Sequence, residues 1–334
     1  MKSKEINPVP GSGFRVPGLT YHPLHIAFRI SHFAYRTSHF ALRTSHFASR
    51  LIHFSLLPAF LLVLSSCTER IDVKLDETYT RLVVDGAIAT DTSAYSIILT
   101  KTADYFYNNP SPVVTNATIR VTDGDSIWIL HETQPGSSGI YMTDTGFYGK
   151  TGKQYTLQIE LEDPIDDHTF YTSSCFLAPV ARLDSIQVGF QPDWGKEGFW
   201  EIKCFAQEPG NETNYYMFNL FRNDTLITDS ITKVSISDDK YINGSYIRGA
   251  GVIYIDNSYS WMRLHAGDKV TLKMSGITKE YYNFISQVQF AGFNIPFFQG
   301  PPANVEGNIS DGGVGFFAAY SNSYASTTVG NISP

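Results

Sequence analysis

From residue 81 onward, apolar and polar residues alternate in short runs broken by Gly, Pro, Asn and Asp. This is the pattern of half-buried strands, with a side-chain period of two. Runs at 81–88, 94–100, 117–122 and 126–131 come first, and Asp123-Gly124-Asp125 between the last two predicts a tight hairpin. Runs at 139–143, 154–161 and 169–176 complete about seven strands over roughly a hundred residues, the size and rhythm of an immunoglobulin-like β-sandwich. No helical period occurs in this stretch. Leu177-Ala178-Pro179-Val180 reads as a join. Strand patterns resume at 185–190, 199–206, 215–222, 226–236, 251–255 and 269–275. The period then changes. Tyr281, Ile285 and Val288 share one helical face, with Thr278 as N-cap and Gly292 as stop. The tail over 294–320 is rich in Pro, Gly and Asn and is expected to wind back across the domain. The pattern therefore predicts a mainly β protein. An immunoglobulin-like β-sandwich over 81–178 is followed by a second β-sandwich-type domain over 179–334, with one short amphipathic helix near 279–290.

The region before residue 81 has a different character. An apolar run from Phe54 ends at Leu64-Ser65-Ser66-Cys67, a bacterial lipobox. Residues 1–66 read as an export signal, Cys67 as the lipidated residue, and 67–80 as a tether. Upstream, Ser-His-Phe-Ala recurs every seven residues from Ser31, Ser38 and Ser45. The repeat reads as a translated tandem DNA repeat ahead of the true start. A heptad helix, a His-rich metal tract and a transit peptide are the alternatives.

Removing that segment alters the charge. It holds seven basic residues and one acid, so the body after it carries 18 basic and 31 acidic residues, a net charge of −13. Such a surface repels nucleic acid and anionic headgroups, so nucleic-acid binding is excluded and the membrane is reached through the lipid anchor alone. Cys175 and Cys204 remain, either as a disulfide or as two buried thiols.

Several segments resemble one Bacteroidota lipoprotein family, domain of unknown function 4249. They are Cys67-Thr-Glu-Arg-Ile-Asp-Val-Lys-Leu, Arg81-Leu-Val-Val-Asp-Gly-Ala-Ile, Thr278-Lys-Glu-Tyr-Tyr-Asn-Phe, and Pro301-Pro-Ala-Asn-Val-Glu-Gly-Asn-Ile running into Gly313-Val-Gly-Phe-Phe-Ala-Ala-Tyr. The resemblance implies an outer-membrane lipoprotein facing the cell exterior, of a kind associated with TonB-dependent transporters. It carries no catalytic residues.

Chemistry-bearing motifs are sparse. No nucleophile elbow, P-loop or dinucleotide glycine pattern is present. His131-Glu132 opens a metalloprotease-like string that fails at Pro135, and His168 and His265 stand far from it in sequence. Glu160, Glu162, Asp163, Asp166 and Asp167 suit calcium oxygen chemistry but match no EF-hand, and read better as a solvated hairpin loop. Asp238-Asp239 is a weaker cluster still. The chain is expected to be non-enzymatic, with no cofactor and no metal. Tyr105, Phe106 and Tyr107 beside Asn108-Asn109-Pro110, and Phe297-Phe298 in the tail, are candidate contacts for a sugar or a protein partner, with core packing as the alternative. Four Asp-Ser/Thr-aliphatic tripeptides resemble the O-glycosylation sequon of exported Bacteroidota proteins and make Ser126, Ser185, Thr225 and Ser230 candidate sites. The expected role is accessory to, or ligand capture for, a TonB-dependent transporter. The alternative is a free-standing adhesin or glycan-binding module using Tyr105–Tyr107 as its platform.

Overall fold

The computed structural model describes residues 80–103, 110–210, 212–291 and 305–331. The lipobox at Cys67 lies outside them. The protein is mainly β. In chain order the first strands are β1 (Leu82–Ala89), β2 (Ser96–Lys101), β3 (Thr118–Thr122), β4 (Ile127–Glu132), β5 (Ile140–Met142), β6 (Gln154–Ile165) and β7 (His168–Phe176). Then come β8 (Leu183–Gln191), β9 (Phe199–Gln207), β10 (Tyr215–Arg222), β11 (Thr225–Leu226), β12 (Ser235–Asp238), β13 (Tyr246–Asp256), β14 (Lys269–Ile277), the helix α1 (Lys279–Ala291) and β15 (Val314–Thr328).

One hydrogen-bonded path runs β11-β10-β14-β15-β1-β2-β5-β4-β3-β6-β7, and β12 pairs with β10 on the same edge as β11, away from β14. A separate sheet has the order β13-β9-β8. Alternation along the strands builds two main cores. Leu82, Val84, Leu99, Ile119, Leu157 and Tyr171 help fill the first, and Trp200, Ile202, Leu220, Leu272 and Met274 the second. The β3–β4 hairpin forms at the expected turn. Gly124 takes φ +88°, and the Asp123 carboxylate accepts the N–H groups of Asp125 and Ser126 at 3.1 and 2.8 Å.

Helix α1 also forms where the period changes. Tyr281 N–H donates to Thr278 Oγ1 at 3.3 Å, the N-cap bond. Ile285 is fully buried in a third, smaller core with Met217 and Ile277. Tyr281 and Phe284 pack on Phe316 of β15, ring centroids 4.9 and 5.1 Å apart. The expected stop, Gly292, lies outside the described residues.

Two expectations are corrected. The run at 226–236 is not one strand. Asn223 and Asp224 take left-handed backbone, giving a tight turn into the two-residue β11. Thr228 then leaves the ladder to accept Leu220 N–H through its hydroxyl at 3.0 Å. The second correction is larger: the tail contains the longest strand. β15 pairs parallel with β1 (Val83 opposite Val314) and antiparallel with β14 (Lys269 opposite Thr328). Phe317 and Ala319 enter the first core, whereas Val329 and Ala325 belong to the second. The boundary at 178/179 therefore misassigns the segment around 309–319, which completes the first sandwich. Asn308 fixes its start by pairing like a backbone with Phe317, donating to its carbonyl at 2.8 Å and accepting its N–H at 2.9 Å.

Candidate functional site

The aromatic candidates Tyr105, Phe106, Tyr107, Phe297 and Phe298 lie outside the described residues, as does Cys67. His131, His168 and His265 are exposed and sit on β4, on β7 and in the connection before β14. Among the described residues no group of three or more His, Cys, Asp or Glu has metal-binding geometry. Glu132 has a structural task. Its carboxylate accepts four main-chain N–H bonds, from Asn116, Gly136, Ser138 and Gly139 at 2.9–3.2 Å. Desolvation works against it, but these donors hold the Glu132 carboxyl below the usual glutamate range. In the acidic segment, Asp166 and Asp167 form the left-handed two-residue turn between β6 and β7, which settles their role as hairpin residues.

The two cysteines are not bonded to each other. Cys175 lies in the first core, where its sulfur accepts Ala319 N–H at 3.2 Å, and Cys204 lies in the second. Burial pushes both thiols up to about 11, away from reactive thiolate chemistry. Ser126, Ser185, Thr225 and Ser230 are all exposed, in turns or at the sheet surface.

The three-stranded sheet carries the most suggestive surface. Alternation along β9 sends Trp200, Ile202, Cys204 and Ala206 into the core and turns Phe199, Glu201, Lys203 and Phe205 outward. Register continues this face onto β8, where Ser185, Gln187, Gly189 and Gln191 oppose them, and onto β13 through Arg248, Gly251 and Tyr254. Two bulges, at Arg248/Ala250 and Gly251/Ile253, bend β13 and set the direction of Tyr254. Gly251 leaves room for the ends of two side chains, because a Cβ there would meet the Tyr254 hydroxyl and lie 2.6 Å from Glu201 Oε1.

Glu201 is only 7% exposed although it faces outward. Its Oε2 accepts a hydrogen bond from Gln191 Nε2 at 2.9 Å and pairs with Lys203 Nζ at 3.3 Å. Among the described residues no donor reaches Oε1. On one side stands Gly189, where a Cβ would meet open space. On the other stand Tyr254 (50% exposed) and Trp194 (44% exposed), ring centroids 5.8 Å apart at 41°. Further along, Tyr246 donates its hydroxyl to Asp184 at 3.0 Å beneath Arg248, whose guanidinium lies 6.0 Å from the ring. The result is an open face with two half-exposed rings, a desolvated carboxylate, an amide and a cation. Sequence pattern marks Glu201 only as an outward strand position. Its burial arises among strands distant in sequence, across from the irregular register of β13, which has no sequence period.

A cavity of about 200 Å³ lies among β9, β10, β12 and β13, lined by Cys204, Tyr216, Phe218, Ile236, Gly251 and Tyr254 among others. That is below the roughly 300–1,000 Å³ of ordinary small-molecule sites.

A mainly β body with two sandwich cores and one open, aromatic sheet face defines the class. The chain belongs to the family described as Domain of unknown function (DUF4249), whose model matches residues 68–325. No curated protein matches it. Similarity to solved structures is slight. The FN1–FN3 domains of chicken CNTN1 match at 12% identity over 59% of this chain and 60% of theirs, with a TM-score of 0.23. A candidate carbohydrate-binding protein from Bacteroides uniformis ATCC 8492 matches at 12% identity over 59% of this chain and 88% of its own, with a TM-score of 0.18. At these scores neither likeness bears on the site.

Proposed function

We propose that the chain is a non-enzymatic, lipid-anchored surface protein that captures a hydroxyl-rich ligand, of the oligosaccharide class, on the open face of β8, β9 and β13. The observation that carries this reading is the Trp194–Tyr254 pair beside Glu201, whose Oε1 meets no donor among the described residues. Aromatic faces stack on the apolar C–H faces of sugar rings, and a desolvated carboxylate accepts sugar hydroxyls through charge-assisted bonds. An open sheet face suits an extended ligand better than a cavity of about 200 Å³ does. Glycoside hydrolysis ordinarily uses a pair of carboxyl groups, whereas this face offers one desolvated carboxylate. The lipobox at Cys67 supports the lipid anchor; placement in the outer membrane and capture on behalf of a TonB-dependent transporter are part of the proposal.

The test is retention of the full-length protein on a panel of immobilised oligosaccharides, with Trp194→Ala, Tyr254→Ala and Glu201→Gln beside the parent. Each substitution should weaken retention about tenfold or more, since 1.4 kcal/mol is tenfold. Retention that survives all three and disappears in Tyr105→Ala or Tyr107→Ala would move the site to that loop. No retention of any glycan removes the reading. Affinity purification of the lipidated protein from solubilised outer membrane tests the partner, a stoichiometric barrel being the expected companion.

A further inference from the structure

At one end of the second sandwich, β9 ends, β10 begins and β12 ends within one corner. Glu208 follows β9, Asn214 precedes β10 and Asp239 follows β12. The loops are tied together. Asp239 N–H donates to Asn214 O at 3.1 Å, Glu208 N–H to Ser245 O at 3.0 Å, and Gly244 N–H to Pro209 O at 3.3 Å. Gly210 and Gly244 meet so closely that a Cβ on Gly210 would lie 2.9 Å from Gly244 Cα.

This corner buries two carboxylates. Asp239 is 0% exposed and Glu208 1% exposed. Among the described residues Glu208 receives a single side-chain donor, the Tyr216 hydroxyl, at 2.7 and 2.9 Å from its two oxygens. Among the described residues, no hydrogen-bond partner reaches either buried carboxylate oxygen of Asp239, nor Asn214 Oδ1. Among the described residues no Lys, Arg or His pairs with either acid. Lys240, next in sequence, turns its ammonium onto the Tyr241 ring at 5.4 Å. Buried charge is stable only when paired or bound to a metal. The shortage is of positive charge, and every orphaned atom is a hard oxygen.

We propose that Glu208, Asp239 and Asn214 form a binding site for a hard divalent cation of the calcium type. The ligand atoms of their side chains are all oxygens, and calcium takes six to eight oxygen ligands in flexible geometry, whereas magnesium retains most of its water. Main-chain carbonyls and water fill the remaining positions. The cation clamps the ends of β9, β10 and β12, and so fixes one end of the central strand of the sheet on which the open face is displayed.

The test uses full-length protein in detergent, purified with and without a chelator, with metal content measured by mass spectrometry and thermal unfolding followed in EDTA and in calcium chloride. About one calcium per chain is expected, and calcium at a hundred times its dissociation constant should raise the melting temperature by about 5–10 °C. Asp239→Asn should lose the bound metal and the calcium-dependent shift together. Two results overturn the proposal. One is a parent protein that retains no divalent metal and melts at the same temperature in millimolar calcium as in EDTA, which would leave the pair closed by a shared proton. The other is an Asp239→Asn variant that keeps the parent's calcium. Should that variant not fold, the arms with the parent protein decide alone.

Discussion

The two sandwiches are built from the same kind of strand but treat their polar groups differently. In the first, buried polar atoms are answered locally. Tyr141 donates to Val114 O at 3.0 Å and accepts Ala117 N–H at 2.9 Å, Tyr171 donates to Ile165 O at 2.6 Å, and Glu132 gathers four main-chain donors. Among the described residues only the Ser173 hydroxyl is left buried and unpartnered there. The second sandwich leaves Asn214, Asn219 and Asp239 with orphaned oxygens, bends one strand by two bulges and turns a desolvated carboxylate outward. A region whose local chemistry is self-sufficient is a scaffold. One that tolerates unmet polar atoms and irregular strands is where binding is expected, because such features oppose folding and persist where they serve something else.

The largest effect should come from the strand both halves share. Gly315 has φ +96°, and a Cβ there would run into the Val84 carbonyl. Gly315→Ala should therefore cost about 4 kcal/mol or more in urea unfolding. Next come the two cores. Phe317→Ala should cost about 3–5 kcal/mol and Leu272→Ala about 2–5 kcal/mol, each moving one common midpoint. A curve with two separate steps in either variant would show that β15 does not couple the halves. Glu132→Ala should cost about 1–3 kcal/mol. Because the folded pKa of Glu132 is depressed, its contribution is complete above the unfolded value, about 4.3. It is lost as pH falls through the lower folded value, so the variant and the parent should converge in stability in acid. The smallest effect on stability belongs to the open face. Trp194→Ala and Tyr254→Ala, both about half exposed, should stay within about 0.5 kcal/mol of the parent while losing glycan retention, which would separate binding from folding.

Much of this architecture is legible in the chain. Hairpin turns at Asp123-Gly124-Asp125 and at Asp166-Asp167, the N-cap at Thr278 and the period of two along β9 are local signals, and the strands follow them. β15 is not legible by period because it is covered on both sides, by the first core and by α1. Phe316, Phe317, Ala318 and Ala319 are therefore buried in succession, and alternation vanishes. The functional surfaces are less legible still. Asp239 reads as half of a solvated acidic pair, and only the meeting of three strand ends buries it. Glu201 becomes special through the bulges across from it. Both depend on residues distant in sequence, which no local pattern encodes.

The position of β15 also sets the order in which the molecule can form. Val83 and Val314 are partners, so the contact that seals the first sandwich joins the first strand of the body to the last. Such long-range closure raises contact order and slows folding. Until β15 arrives, β1 and β14 each present an unpaired edge, and neither half has its full core. A chain released one strand short would be doubly incomplete, and its exposed edges would invite aggregation. The same geometry means that a body emerging N-terminus first keeps the edges of β1 and β14 open until residues 314–328 can pair with both.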